Sequence, residues 1–185
     1  MAKSAALSSV SSNPPASDWF TEVAANVLDV HPDVEPIAFL LGTWRGEGTG
    51  AYPTISTFGY GEEVRFAEVG KPFLAYTQRT WALDDGRGLH AEAGYWRPQP
   101  GGRLEVVLAH PTGLAEIQQG IVAGGCIELE ATSIGHTDSA KRVAALTRRF
   151  ELVEPDVLRY TIGMAAAGQP LQTHLQAELR RVEGD

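Results

Sequence analysis

The side chains with the most chemical reach in this 185-residue chain are its five histidines, His31, His90, His110, His136 and His174. A neutral imidazole keeps one nitrogen lone pair, and facing a cavity it can ligate a metal ion or a haem iron. Most histidines in folded proteins are simply hydrogen-bonded, so the surrounding sequence has to decide. His31 and His136 fall in loop-like sequence and read as solvated. His110 precedes Pro111 at a turn and reads as structural. His90 opens a strand in Gly88-Leu89-His90-Ala91-Glu92, and His174 sits in Leu171-Gln172-Thr173-His174-Leu175. Met164 reads either as a soft lining residue or as core filling. Cys126, the sole cysteine, reads as a small buried hydrophobe, and alone it excludes an internal disulfide.

Other chemistries lack their motifs. There is no nucleophile elbow, P-loop, dinucleotide fingerprint or paired-histidine zinc motif. Ser133 and Ser139 have no context marking a nucleophile, and Glu62-Glu63 look like ordinary strand charges. A net charge of −8, with basic residues clustered only at Arg148-Arg149 and Arg180-Arg181, argues against a nucleic-acid partner. No stretch approaches the ~18 apolar residues of a membrane helix, and the first residues lack the pattern of a secretory signal. The expectation is a soluble cytoplasmic protein with no nucleic-acid or membrane partner.

Strands must position these side chains. Residues 1–17 are small, polar and proline-containing and are expected to be disordered. The rest, 18–185, reads as one domain. Asp18 caps a short helix through Trp19, Phe20, Val23 and Val27, broken at His31-Pro32-Asp33. A second helical turn near residues 36–41 leads into Gly42-Thr43-Trp44-Arg45-Gly46-Glu47-Gly48. Glycines inside a strand mark close backbone approach, and Trp44 among them can fold inward to plug one end of a barrel. Strands then follow near 43–50, 58–69, 72–83, 88–97, 103–110, 113–122, 125–134, 143–153, 157–167 and 171–181. The links between them are short and turn-like, as antiparallel hairpins require, and none holds a long helix. Ten strands in an open sheet leave two edges, which closure removes. The expected fold is therefore all-β, a ten-stranded antiparallel up-and-down β-barrel over about 42–182, wide enough for one small ligand. The last segment is ambiguous, because Leu171, Leu175, Leu179 and Val182 also suit an amphipathic helix. Read as a strand, it puts His174 on the face of Gln172, Gln176, Glu178 and Arg180. Periodicity leaves open whether that face lines a polar cavity or meets solvent.

The Gly42–Gly48 stretch matches the GxWxGxG signature of the nitrobindin family, ten-stranded barrels akin to fatty-acid-binding proteins that bind haem b. The resemblance continues through Tyr52-Pro53-Thr54-Ile55, Gly70-Lys71-Pro72-Phe73-Leu74-Ala75-Tyr76-Thr77-Gln78, Leu89-His90-Ala91-Glu92-Ala93-Gly94-Tyr95, Leu108-Ala109-His110-Pro111-Thr112-Gly113 and Gly168-Gln169-Pro170-Leu171-Gln172-Thr173-His174-Leu175. It covers residue 35 to the C-terminus and looks closest to actinobacterial members. It implies that 171–181 is a strand with His174 pointing inward as the proximal iron ligand, and hence the catalytic and metal-binding residue. It further implies that His90, Leu89 and Met164 line the haem pocket, that Lys141 pairs with a propionate and that Thr54 lies near the haem rim. Leu89 stands where some relatives have methionine. The implied activity is isomerisation of peroxynitrite to nitrate at an open sixth coordination site that also takes nitric oxide. The alternative is a carrier of nitric oxide, haem or a hydrophobic ligand without turnover, although no Arg–Tyr–Arg carboxylate clamp of the lipid-carrier kind is evident. The oligomeric state stays open, with a homodimer of barrels as one form.

Overall fold

The computed structural model describes residues 30–182; the tail expected over residues 1–17 and the helix expected from Asp18 to Val27 lie outside them. Ten strands follow one another: β1 (Gly42–Tyr52), β2 (Ile55–Glu68), β3 (Leu74–Ala82), β4 (Gly88–Gln99), β5 (Arg103–His110), β6 (Leu114–Ala123), β7 (Cys126–His136), β8 (Val143–Glu154), β9 (Val157–Ala166) and β10 (Gln172–Arg181). Each pairs antiparallel with its sequence neighbours, and β10 pairs with β1 to close the barrel. Closure gives every strand two neighbours, although the β7–β8 ladder runs only from Cys126 opposite Glu151 to Glu130 opposite Thr147. Segment 171–181 thus forms a strand, because β1 and β9 each need its backbone as partner. β1 and β2 run further towards their hairpin than the sequence pattern suggested, leaving only Pro53-Thr54 between them. The β6–β7 hairpin turns on Gly124 and Gly125, both at positive φ (57° and 79°), the conformation a two-residue hairpin of this hand requires. Among the described residues no helix is long and apolar enough to cross a membrane.

One end of the barrel is sealed. A 3₁₀ helix over Pro32–Leu40 starts a turn earlier than residue 36, because Pro32 fixes the first helical φ and His31 Nδ1 accepts the Asp33 N–H at 3.2 Å. His31 is thus a cap as well as a solvent contact. The helix buries Val34, Ile37 and Leu40 completely. Trp44 lies beneath it, fully buried, with its indole N–H donating to the Leu40 carbonyl at 2.7 Å. The Arg181 guanidinium stacks 4.1 Å from the Trp44 ring and also donates to the Phe39 and Leu41 carbonyls. Gly46 allows this end to close: a Cβ there would overlap the Glu178 carbonyl of β10. Behind Trp44, Phe66, Trp96 and Phe150 meet edge to face at 5.2 Å, the arrangement that aromatic quadrupoles favour.

Above this apolar base lies a layer of buried polar side chains, which separates it from the other end. Glu62 is fully buried, contrary to its reading as an ordinary strand charge, while Glu63 pairs at the surface with Arg45 and Arg79. Alternation explains the difference, since Glu62 shares the inward face of Tyr60 and Val64. Its carboxylate accepts from Tyr160 and from Gln78, each at 2.6 Å, and Tyr60 and Tyr160 join hydroxyls at 2.7 Å. Burial outweighs these donors and pushes the Glu62 pKa up to about 7.

Two predictions follow from this layering. Trp44→Ala removes the plug and its hydrogen bond, and urea unfolding should show a loss of about 3–5 kcal/mol. Glu62 binds its proton more tightly folded than unfolded, so its contribution to stability falls as pH rises from about 4.5 to about 7. Glu62→Gln removes that dependence, and the Gln78 amide, whose Oε1 has no partner, can turn over to accept. At pH 8 the variant should be more stable than the parent by roughly 2–3 kcal/mol, with the gap closing towards pH 4.5.

Candidate functional site

Four histidines gather at the end opposite Trp44: His90 near the start of β4, His110 at the end of β5, His136 at the end of β7 and His174 near the start of β10. Here the barrel encloses a cavity of about 760 Å³, within the ~300–1,000 Å³ of ligand sites. Its walls are mainly apolar, from Phe58, Leu89, Leu114, Val143, Ile162 and Met164, and its floor is the polar layer. A second recess of about 970 Å³ adjoins it, sharing Lys141, Met164 and His174 and adding Tyr52 and Thr54.

Two β-bulges decide what faces this space. In β4, Thr80 pairs with His90 and Trp81 with Gly88, so Leu89 is the extra residue. In β10, Thr173 pairs with Gly163 and Leu175 with Ile162, so His174 is the extra residue. Each bulge brings two successive residues, Leu89 with His90 and His174 with Leu175, onto the cavity wall. Strict alternation forbids this, and re-aiming a side chain is what a bulge does. Alternation alone therefore misplaced His174 with Gln176 and Glu178.

His174 is held from behind. Its Nδ1 lies 3.1 Å from the Ala51 carbonyl, which can only accept, so Nδ1 carries the proton and Nε2 keeps the lone pair. Ala51 is itself displaced by a register shift between Gly50 and Tyr52, and the Tyr52 ring meets His174 edge-on at 5.3 Å. The Tyr52 hydroxyl accepts from the Ala166 N–H at 2.7 Å and donates to the Ala166 carbonyl at 3.0 Å.

Facing His174's strand is a charged cluster. Arg148 forks onto Glu92 at 2.6 and 2.9 Å and reaches Glu116 at 3.3 Å; all three are buried. Tyr76 donates to Glu92 at 2.7 Å, and Gln118 donates to Glu116. His110 Nε2 lies 2.7 Å from Glu116 and its Nδ1 3.0 Å from His90 Nε2. Burial alone would raise both carboxyl pKa values, but the Arg148 charge prevails: Glu92 is held at about 2 and Glu116 below the usual range. Burial lowers the His90 pKa, which keeps that ring neutral.

The six residues singled out from sequence are brought together here: His90, Leu89, Met164, Lys141 and His174 line the inner cavity, and Thr54 lines only the outer recess. Three sequence readings change. His110 is part of the buried cluster rather than a turn residue, because its side chain turns back under His90. His136 is half-buried and accepts the Val143 N–H at 3.0 Å, tying both ends of the loop that carries Lys141. Cys126 is only half-buried, because Ile127 and Leu129 take the inward positions and leave it beside Glu128. Glu92, Glu116 and Arg148 went unread. Their signal is charge at an inward position, as with Arg148 between Leu146 and Phe150.

Comparison with known proteins agrees with this geometry. The family model described as "THAP4-like, heme-binding beta-barrel domain" matches residues 33–181. Peroxynitrite isomerase 1 of Mycolicibacterium paratuberculosis is 58% identical over 158 residues, covering 83% of this chain and 97% of that protein. Peroxynitrite isomerase 2 of Mycobacterium avium is likewise 58% identical over 158 residues, with the same coverage. The crystal structure of Rv2717c from M. tuberculosis superposes with a TM-score of 0.78 at 49% identity, over 84% of this chain and all of that one. A closed ten-stranded barrel with a histidine bulged into its cavity, matched along nearly its whole described length, belongs to the THAP4-like haem-binding β-barrel family, the nitrobindins.

Proposed function

We propose that this protein is a haem-dependent peroxynitrite isomerase, with haem b in the cavity and His174 as its one protein ligand to iron. The observation that carries the reading is His174 itself: a cavity-lining imidazole whose Nδ1–H is pinned by Ala51, leaving Nε2 as the free lone pair. A hydrogen bond on the far nitrogen is the usual support of a metal-ligating histidine. The surroundings fit the same group. Met164, Ile162, Leu114 and Val143 offer the apolar walls a macrocycle needs, and Lys141 on the β7–β8 loop offers a cation for a propionate. The relatives named peroxynitrite isomerase, at 58% identity, supply the reaction.

Haem held by His174 would supply the iron chemistry that converts peroxynitrite to nitrate and that takes nitric oxide. The chain's own residues prepare the site. The Ala51 carbonyl and the Tyr52 ring fix the His174 tautomer and orientation. The apolar walls exclude water, so that a reactive anion and its products stay confined. His90, its pKa lowered by burial, lines the same cavity. Arg148 stays locked between Glu92 and Glu116. That lock argues against the lipid-carrier alternative, because the guanidinium at the cavity floor is already committed and cannot clamp a fatty-acid carboxylate.

Hemin added to the purified protein should give a one-to-one ferric haem spectrum. His174→Ala should abolish it while far-ultraviolet dichroism still reports a folded barrel; an unchanged Soret band in that variant would sink the ligand assignment. Stopped-flow decay of peroxynitrite should accelerate only with haem-loaded parent protein, and equal decay in its absence would favour the carrier. Lys141→Ala should weaken hemin binding by about 2–5-fold, the size of one exposed ion pair, without shifting the Soret maximum.

A further inference from the structure

We propose that His90, Glu92 and His110 form a second metal site, one for a divalent zinc- or ferrous-type ion, at the cavity wall across from His174. The three donor atoms converge: His90 Nε2 lies 3.0 Å from His110 Nδ1, which lies 3.4 Å from Glu92 Oε2, and the remaining edge is 4.0 Å. Metal–ligand bonds of about 2.1 Å place neighbouring donors about 3.0 Å apart in an octahedron and about 3.4 Å apart in a tetrahedron. The 3.0 Å edge has the octahedral length, and the 3.4 Å edge exceeds it by about 0.4 Å. The third closes by a small rotation of His90, which is 33% exposed and sits beside the Leu89 bulge. Two histidines and one carboxylate on one face of an ion leave its other positions open, and here the open side is the cavity.

The outer contacts are those of a built site. A ligating histidine normally has a carboxylate beside its other nitrogen, and Glu116 Oε1 lies 2.7 Å from His110 Nε2, though off the N–H direction of a hydrogen bond. With the His110 proton on Nε2, Nδ1 is the acceptor of its 3.0 Å contact with His90 Nε2, whose proton an incoming ion displaces. Arg148 holds both Glu92 oxygens, at 2.6 and 2.9 Å, and Tyr76 donates to Oε1 at 2.7 Å, which fixes the carboxylate's aim and leaves Oε2 to be shared between Arg148 and the ion. Charge also permits the ion, since two carboxylates surround one guanidinium and leave one negative charge uncompensated. His174 takes no part, so the ligand set is separate from the one proposed for haem iron, although both face the same cavity.

The test is a titration of the untagged, chelator-treated full chain with Co²⁺, read by its visible ligand-field band, and with Zn²⁺ by calorimetry. One ion per chain should bind, with proton release that changes with buffer. His90→Ala, at the most exposed of the three positions, should lose the band, and Glu116→Gln should weaken binding by about 10–100-fold. His174→Ala should leave binding intact. Absence of stoichiometric binding would overturn the proposal, leaving a shared proton as the cluster's occupant. So would binding that survives His90→Ala or that disappears in His174→Ala.

Discussion

The interior of this barrel depends on the fork of Arg148 on Glu92, with Glu116 closing the other side. Removing one partner of such a buried pair costs about 3–5 kcal/mol, because the remaining charge stays buried without compensation. Placed midway along the barrel, this network divides the interior into two volumes with different tasks. Below it, aromatic rings pack to full burial around Trp44, Phe66, Trp96 and Phe150. Above it, the strands enclose space instead of filling it. A barrel of ten strands is wide enough to hold one small ligand, and the buried polar layer forms the floor of that space.

Into that open part the strands deliver chemistry by breaking their own periodicity. An ideal strand gives a cavity only every second residue. The extra residues at Leu89 and His174 defeat that limit at two strand ends around one space. The register shift beside Ala51 is coupled to the His174 bulge, since Ala51 provides the carbonyl that fixes the His174 tautomer. The residues flanking each bulge stay in the ladder, which places the bulged side chain more precisely than one on a free loop. The Ala166–Tyr52 pair adds a second brace from β9.

Composition, turn spacing and apolar alternation were enough to read ten strands and closure, because both follow from short-range patterns repeated along the chain. The plug at Trp44 was legible from its flanking glycines. The inward turn of His174 was not, because a bulge is a mismatch between two strands and appears in neither strand's own pattern; only the family resemblance carried it. Glu62 and Glu63 show the same limit in another form. Adjacent and chemically identical in sequence, they end as a fully buried acid and a surface ion-pair partner, and only register with Tyr60 and Val64 tells them apart. Arg148 carried a clearer sign, a cation at a position where Leu146 and Phe150 demand an apolar residue.

The same division of the interior bears on why a barrel of this shape suits haem rather than a fatty acid. A lipid carrier needs a cation free to meet a carboxylate deep in its cavity and a long apolar path leading to it. Here the deep cation is neutralised twice over, the lower half of the barrel is filled, and the available volume lies at one end. Lys141 lies at that end, beside the adjoining recess, where the acidic edge of a flat macrocycle could meet it. The placement of charge therefore selects for a ligand that is apolar at its centre, anionic at its rim and short along the barrel axis, and a porphyrin meets all three conditions.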